Sequence, residues 1–165
     1  MIVDSGERRE FSTGAVRDIQ EGKGRCDLLP LDVVASIYEI NGNDEIADVL
    51  DLIHEYCKNG DSKILCSAIR IFIDENIKKH PSTAFLELSR HFEEGALKYG
   101  EYNWQKGIPT HCYIDSAVRH YLKYKRGDDD ERHDRAFLWN LVCCIWTCEH
   151  MPELNDYKKT SEQLE

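Results

Sequence analysis

Apolar residues recur every three or four positions along most of the chain, and this spacing predicts an all-α protein. The first helix is expected from Leu31 to Ile40, between Pro30 and the Asn41-Gly42 pair that ends it. Two further apolar stripes, from residue 43 or 44 to Asn59 and from residue 61 or 62 to Pro81, predict a helical hairpin. No segment alternates clearly between apolar and polar positions, so no strand is expected.

Three longer helices are predicted in the second half of the chain, from Ser82 to Tyr99, from Tyr113 to Lys125, and from about Asp130 to His150. The last of these is apolar on nearly every side, so we expect it to be the central and most buried helix. Asn140 lies inside it, and a buried amide must find hydrogen-bond partners. We expect Asn140 to form a polar seam with His133 and Thr147.

The segment from Phe11 to Leu29 has little periodicity and is predicted to be a loop. It combines three glycines with the cations Arg17, Lys23 and Arg25. Glycines let backbone N–H groups approach an anion, and nearby cations favour binding of a phosphate. This glycine-rich cationic loop is therefore predicted to contribute to a ligand site.

Length and charge narrow the class of protein. The chain has 165 residues, of which 41% are hydrophobic, so we expect one helical domain over residues 1–165, with a polar, mobile tail from about 153 to 165. The formal net charge of −10 would repel a nucleic-acid backbone, so nucleic acid is not expected as a direct partner. A small phosphate ligand needs only a local group of cations.

The sequence predicts a cytoplasmic protein without a membrane contact. No apolar run approaches the ~18 residues that a membrane span needs, and the charged segment from Met1 to Glu10 is unlike a signal peptide. The seven cysteines follow no disulfide framework, so we interpret them as reduced, mostly core residues. Cys144 and Cys148 lie four residues apart near His150, but no second pair completes a zinc site.

Acidic residues on three predicted helices are candidates for metal binding. The helical projection places Glu93 at the margin of the buried face, where it needs a cation, unless it turns to solvent or forms a structural ion pair. Glu93 and Glu94 together could hold one Mg²⁺. Glu131 and Asp134 have a spacing that fits a shared divalent cation or the ordinary preference for acids at a helix start. Asp115 could join the metal site, or it could simply form a surface pair with Arg119.

Aromatic and amide side chains suggest a nucleobase site. Trp104 could stack on a base while Asn103 bonds to the edge of the base, although Trp104 could also simply cover the core. His120 projects to the margin of a buried face, where a satisfied boundary histidine, a phosphate ligand and a proton donor all remain open.

Several segments together resemble the phage-type dATP/dGTP diphosphohydrolase N-terminal family, which is related to the MazG-like all-helical nucleotide pyrophosphatases. The resemblance covers residues 11–30 and about 91–153, and the hairpin of about 40–80 looks like an insertion between them. The matching motifs are Phe11-Ser12-Thr13-Gly14-Ala15-Val16-Arg17-Asp18, Glu21-Gly22-Lys23-Gly24-Arg25, His91-Phe92-Glu93-Glu94-Gly95, Asn103-Trp104-Gln105-Lys106-Gly107 and Asp115-Ser116-Ala117-Val118-Arg119-His120.

The resemblance implies a compact, MazG-like helical bundle that forms a homo-oligomer, in the host cytoplasm if the protein is phage-encoded. It implies Mg²⁺-dependent, or Mn²⁺-dependent, cleavage of purine deoxynucleoside triphosphates to a monophosphate and pyrophosphate. In this reading Glu93, Glu94 and Asp115 are catalytic, and Glu93, Glu94 and Asp134 bind the metal. The nucleotide would contact Arg17, Lys23, Arg25, His91, Lys98, Tyr99, Asn103, Trp104, Arg119 and His120.

A second interpretation stays open at this point. MazG-like enzymes pair a carboxylate-rich helix with a Glu-x-x-Asp helix, but here Leu97 stands three residues after Glu94, where a third acid is expected. The same cations and aromatic residues could therefore bind a nucleotide, or a cyclic nucleotide immune signal, and sequester it without turnover.

Overall fold

Six α-helices dominate the computed structural model of this chain, which describes residues 6–77 and 80–158. The prediction of an all-α fold is confirmed. The helices are α1 (Leu31–Ile40), α2 (Asp44–Asn59), α3 (Lys63–Asn76), α4 (Ser82–Tyr99), α5 (Thr110–Arg126) and α6 (His133–His150).

A small antiparallel hairpin precedes the helices, so the expectation of no strand was wrong. Its strands are β1 (Arg8–Glu10) and β2 (Val16–Asp18), with Arg8 opposite Asp18. The side chain of Asn103 holds β2 from outside: its Nδ2 donates to the Val16 carbonyl oxygen at 2.8 Å, and the Val16 N–H donates to its Oδ1 at 2.9 Å. Because this support comes from a distant residue, the local sequence pattern does not reveal it.

The predicted ends of three helices agree with the structure. The bounds of α1 and α4 are those expected, and α2 ends before Gly60, which adopts the left-handed conformation. The structure places one end of each of three other helices differently from the prediction. Helix α3 ends at Asn76 rather than near Pro81, α5 begins directly after Pro109, and α6 begins at His133 rather than Asp130. Residues 78–79, in the predicted end of α3, lie outside the described residues.

Helix α6 lies at the centre of the fold, as predicted. It packs along α5 and also contacts α3 and α4. Phe72 of α3, Tyr121 of α5 and Phe137 of α6 are fully buried, with the Phe137 ring centroid 4.8 Å from Phe72 and 4.9 Å from Tyr121. This aromatic cluster joins the predicted hairpin of α2 and α3 to the central pair.

The C-terminal segment packs on α2 as far as the structure describes it. Asn155 is 9% exposed, accepts a hydrogen bond from the Tyr56 hydroxyl at 3.1 Å and donates to the Gly60 carbonyl oxygen at 2.9 Å. Up to residue 158 the predicted mobile tail is therefore held against the core, and its residues 159–165 lie outside the described residues.

Two predictions, on membrane contact and on disulfides, can be compared with the structure. Within residues 6–77 and 80–158, no helix is long and apolar enough to cross a membrane. All seven cysteines are free thiols.

Helix α1 leaves Val33, Ile37 and Ile40 more than half exposed along one side. A homo-oligomer, which stays a prediction, would have an apolar surface available there.

Packing at Gly60 predicts an unequal cost for two glycine substitutions. Gly60 and Gly42 both have positive φ angles, so an alanine strains either backbone by about 1–2 kcal/mol. A Cβ atom at Gly60 would also lie 2.7 Å from the Lys158 backbone, whereas Gly42 has open space. We expect Gly60→Ala to lower the free energy of unfolding by at least about 1 kcal/mol more than Gly42→Ala in urea titrations. Equal losses of unfolding free energy in the two variants would show that the C-terminal segment does not pack on α2.

Candidate functional site

A cavity of about 430 Å³ lies between the N-terminal segment, here residues 9–26, and helices α4, α5 and α6. Its volume is within the range of roughly 300–1,000 Å³ that is usual for small-molecule sites. The N-terminal segment, which the sequence analysis treated as a loop, thus covers the helical bundle and completes the cavity.

The carboxylate of Asp115 holds the N-terminal segment on α5. Asp115 is 1% exposed and accepts hydrogen bonds from the Cys26 N–H at 2.6 Å and from Gln20 Nε2 at 2.7 Å. Arg119, one turn later, pairs with the same carboxylate and donates to the carbonyl oxygens of Lys23 at 3.2 Å and Gly24 at 3.3 Å. Asp115 lines the cavity, but its oxygens are occupied by these internal partners.

Arg17 crosses from β2 to the helices and forms part of the cavity wall. Its guanidinium group donates to three acceptors, the Cys112 carbonyl oxygen, Ser116 Oγ and Asn140 Oδ1, at 2.9–3.1 Å. Among the residues with described positions, Arg17 has no carboxylate partner. The group also lies over the rings of Tyr113 and Trp139, at 5.3 and 5.7 Å from the centroids.

The partner of Asn140 differs from the one expected. Its Oδ1 accepts from Arg17 at 2.9 Å, and its Nδ2 donates to the Ala136 carbonyl oxygen at 2.8 Å. The predicted seam with His133 and Thr147 is therefore wrong, because the buried amide is satisfied by an arginine from the N-terminal segment and by its own helix.

Aromatic side chains form the part of the cavity wall next to Arg17. The Phe92 ring centroid lies 5.5 Å from Trp104 and 6.2 Å from Trp139, and all three residues line the cavity. Trp104 also packs edge-on against Trp146 at 5.0 Å, so it covers the core and faces the cavity at once. Asn103 lines the cavity too, although its amide is engaged with Val16.

Lys23 gives the cavity rim a positive charge that no described carboxylate pairs with. Partial burial lowers the pKa of its ammonium group, repulsion from Arg119, Lys98 and Arg17 adds to this effect, and attraction by Asp18 opposes it. Cations therefore crowd one side of the cavity in a protein whose net charge is negative. A bound anion would relieve their repulsion.

Most of the residues predicted to contact a nucleotide line this cavity. They are Arg17, Lys23, His91, Tyr99, Asn103, Trp104, Arg119 and His120. Arg25 and Lys98 do not line it: Arg25 pairs with Asp27, and Lys98 pairs with Asp18 at 2.8 Å. Burial lowers the pKa of His91 to about 4, so its imidazole is neutral at pH 7.

The predicted metal ligands do not come together. Glu93 is exposed rather than at the margin of the buried face. Glu94 lies 3.8 Å from Arg135 of α6, and Asp134 pairs with Arg132 at 2.7 Å. None of the three acids lines the cavity, and they form no convergent metal-ligand group in residues 6–77 and 80–158.

The predicted pairing of Glu131 with Asp134 fails for a geometric reason. Because α6 begins at His133, Glu131 lies before the helix, and the helical i, i+3 rule does not place the two carboxylates on one face. Glu131 turns instead towards His120, with its Oε1 2.9 Å from His120 Nδ1.

A cluster of histidines and acids lies at one end of the cavity. His120 Nδ1 is 3.0 Å from His133 Nδ1, and His133 Nε2 is 2.7 Å from Asp130 Oδ1. Burial lowers the pKa of His120, with attraction by Glu131 opposing the shift. From the sequence, His120 was assigned to the nucleotide site, Glu131 was paired with Asp134 and His133 with Asn140, so the cluster itself was missed, although His120 and His133 flank the short acidic connection between α5 and α6.

Comparison with known proteins identifies a family. A family model described as dATP/dGTP diphosphohydrolase, N-terminal, matches residues 55–157. This span is more than half of the chain, and the chain belongs to that family. It includes α3, which the sequence analysis placed in an insertion, and excludes residues 11–30. No curated protein and no solved structure matches the chain.

The hydrogen bonds of Asp115 predict that this carboxylate is required for stability. Asp115→Asn would place an amide donor among the Cys26, Gln20 and Arg119 donors, and we expect it to cost about 2–4 kcal/mol of unfolding free energy. Asp51→Asn, an exposed acid on α2, is the matched control and should cost less than about 0.5 kcal/mol. Urea denaturation of both variants measures the difference, and equal stabilities would refute the role of Asp115 as an anchor.

Proposed function

We propose that this member of the dATP/dGTP diphosphohydrolase N-terminal family binds a purine deoxynucleoside triphosphate in the cavity and cleaves its α–β phosphoanhydride, releasing a monophosphate and pyrophosphate. The family description supports the substrate class and the reaction. The observation that carries the proposal is one cavity that combines an aromatic wall with crowded cations.

The base is assigned to the aromatic wall. Phe92, Trp104 and Trp139 offer ring surfaces against which a purine can lie. His91, whose ring centroid is 5.8 Å from Trp139, is neutral at pH 7 and can donate or accept one hydrogen bond at the base or sugar. Asn103 is assigned a positioning role, since its amide holds β2 at the edge of the cavity.

The triphosphate is assigned to the cationic side. Lys23 can move towards the phosphates because its ammonium group has no described carboxylate partner and lies at the exposed rim. Arg17 is fixed by its three acceptors and presents a charge that is already oriented. Arg119 is neutralised in part by Asp115, so it contributes less charge than the other two.

Cleavage of a nucleoside triphosphate is proposed to need Mg²⁺ or Mn²⁺, which commonly bridges substrate phosphates and protein oxygens. Glu93, Glu94 and Asp134 do not fit this ion as a set, since each points to a separate environment. No reaction step is therefore assigned to these three carboxylates. The chain's own contribution is to bind the base, orient the phosphates and offset their charge.

Sequestration without turnover is the second candidate. The separation of the three predicted metal ligands favours it, because the cavity retains its binding groups even though that carboxylate set is not assembled. The ligand would be a nucleotide or a nucleotide-derived signal.

A nucleotide panel distinguishes the two candidates. Purified protein is incubated with dATP, dGTP, dCTP and dTTP, with Mg²⁺, with Mn²⁺ or with EDTA, and the products are separated by chromatography. Hydrolysis predicts monophosphate and pyrophosphate from dATP or dGTP in the presence of metal. Sequestration predicts an intact nucleotide recovered after denaturation. Neither product nor retained nucleotide would refute both.

Two cations of the N-terminal segment give a matched test of phosphate binding. Lys23→Ala removes a cation at the cavity rim, so we expect triphosphate affinity to fall about tenfold, the equivalent of about 1.4 kcal/mol. Arg25→Ala makes the same charge change two residues away, but Arg25 pairs with Asp27 and does not line the cavity. The triphosphate affinity of the Arg25→Ala variant should therefore stay within about twofold of the wild type.

Isothermal titration with a non-hydrolysable dATP analogue measures both constants. The difference in affinity between the two variants should shrink as salt concentration rises, since screening weakens an exposed charge contact. Equal losses for the two variants would mean that only the overall charge of the segment matters.

A further inference from the structure

Three potential metal-ligating atoms converge between α5 and α6. The Nδ1 atoms of His120 and His133 are 3.0 Å apart, and Glu131 Oε1 lies 2.9 Å from the first and 3.5 Å from the second. An ion held at about 2.1 Å by each ligand requires ligand separations of roughly 3.0 Å in octahedral geometry or roughly 3.4 Å in tetrahedral geometry. The observed separations span these two values.

Hydrogen bonding accounts poorly for the same arrangement. His133 Nε2 lies 2.7 Å from Asp130 Oδ1, and a proton on Nε2 leaves a lone pair on the Nδ1 of a neutral ring. His120 Nδ1 then has one proton at most to share between His133 Nδ1 and Glu131 Oε1. A cation at the centre would accept a lone pair from each of the three ligand atoms at once.

We propose that His120, Glu131 and His133 bind one divalent first-row transition-metal ion at the end of the cavity. Two imidazole nitrogens and one carboxylate favour Zn²⁺, Co²⁺ or Fe²⁺ over Mg²⁺, which prefers oxygen ligands. His120 and Glu131 both line the cavity, so the remaining coordination positions face a bound ligand or water. The site does not depend on the proposed hydrolysis.

Asp130 supports this site from outside. A metal-bound histidine commonly donates its second ring N–H to a carboxylate, which fixes the ring and the tautomer, and Asp130 occupies that position on His133. Lys123 in turn pairs with the other Asp130 oxygen at 2.9 Å. Asp130 is therefore a positioning residue for His133.

The neighbouring group of Asp128, Asp130 and His133 is a weaker alternative for the ion. Arg126 pairs with Asp128 and Lys123 with Asp130, so both carboxylates already have cations. Asp128 also does not line the cavity. The structure thus assigns the ion to the Nδ1 side of His133 and the hydrogen bond to its Nε2 side.

Titration with Co²⁺ tests the site without any nucleotide. Protein stripped with a chelator and then dialysed is titrated with Co²⁺, and its visible d–d absorption is followed. We expect saturation at one ion per chain, and no displacement by a large excess of Mg²⁺. Zn²⁺ should compete.

Variants locate the ion. His120→Gln and Glu131→Gln remove a ligand and should abolish saturable binding, while Asp130→Asn should weaken it about 10–100-fold. His150→Gln removes an exposed histidine at the end of α6 and should leave binding unchanged. Circular dichroism of each metal-free variant separates loss of a ligand from loss of the fold.

The outcomes are distinct from those of the nucleotide assay. Wild-type protein that binds no Co²⁺ would overturn the site even if it hydrolyses dATP. Equal Co²⁺ affinity in the wild type and the folded His120→Gln variant would also overturn it. Competition by Mg²⁺ at equal concentration would overturn the assigned metal class. Saturable Co²⁺ binding lost in both ligand variants would support the site even if no nucleotide is hydrolysed.

Discussion

The buried carboxylate of Asp115 is the interaction on which the cavity depends. It projects from α5 and accepts hydrogen bonds from Cys26 and Gln20, two points of a segment that has little regular structure. Arg119 satisfies the same carboxylate and extends the contact to the backbone of residues 23 and 24. Without this anchor residues 20–26 would lose their hydrogen bonds to the Asp115 carboxylate, while β2 would still be held by Asn103 and Arg17.

The anchor explains how an acidic protein can offer the proposed phosphate site. Residues 17 and 23 are brought to one side of the cavity, while several acids are engaged by fixed cations or backbone N–H groups. Net charge describes the average field, but a ligand within a few ångströms responds to the nearest groups. The aromatic wall supplies the uncharged half of the same cavity.

Helical periodicity was sufficient to predict where the helices lie, and Pro30, Gly60 and Gly100 mark the ends that depend on local backbone preferences. Most of the residues predicted to contact a nucleotide line one cavity, and they could be named because cations and aromatic residues stand out in sequence. The hairpin was missed since Asn103, distant in sequence, supports it. The convergence of His120 with Glu131 was missed since it depends on where α6 begins and how it meets α5.

Hydrogen–deuterium exchange of the wild-type protein, with and without a saturating non-hydrolysable dATP analogue, tests the central claim that the N-terminal segment and the bundle form one nucleotide site. The account predicts slower exchange in residues 16–26 and in the first half of α5, and little change in α1 and in the hairpin of α2 and α3. Protection confined to α1–α3, or none despite measured binding, would contradict it.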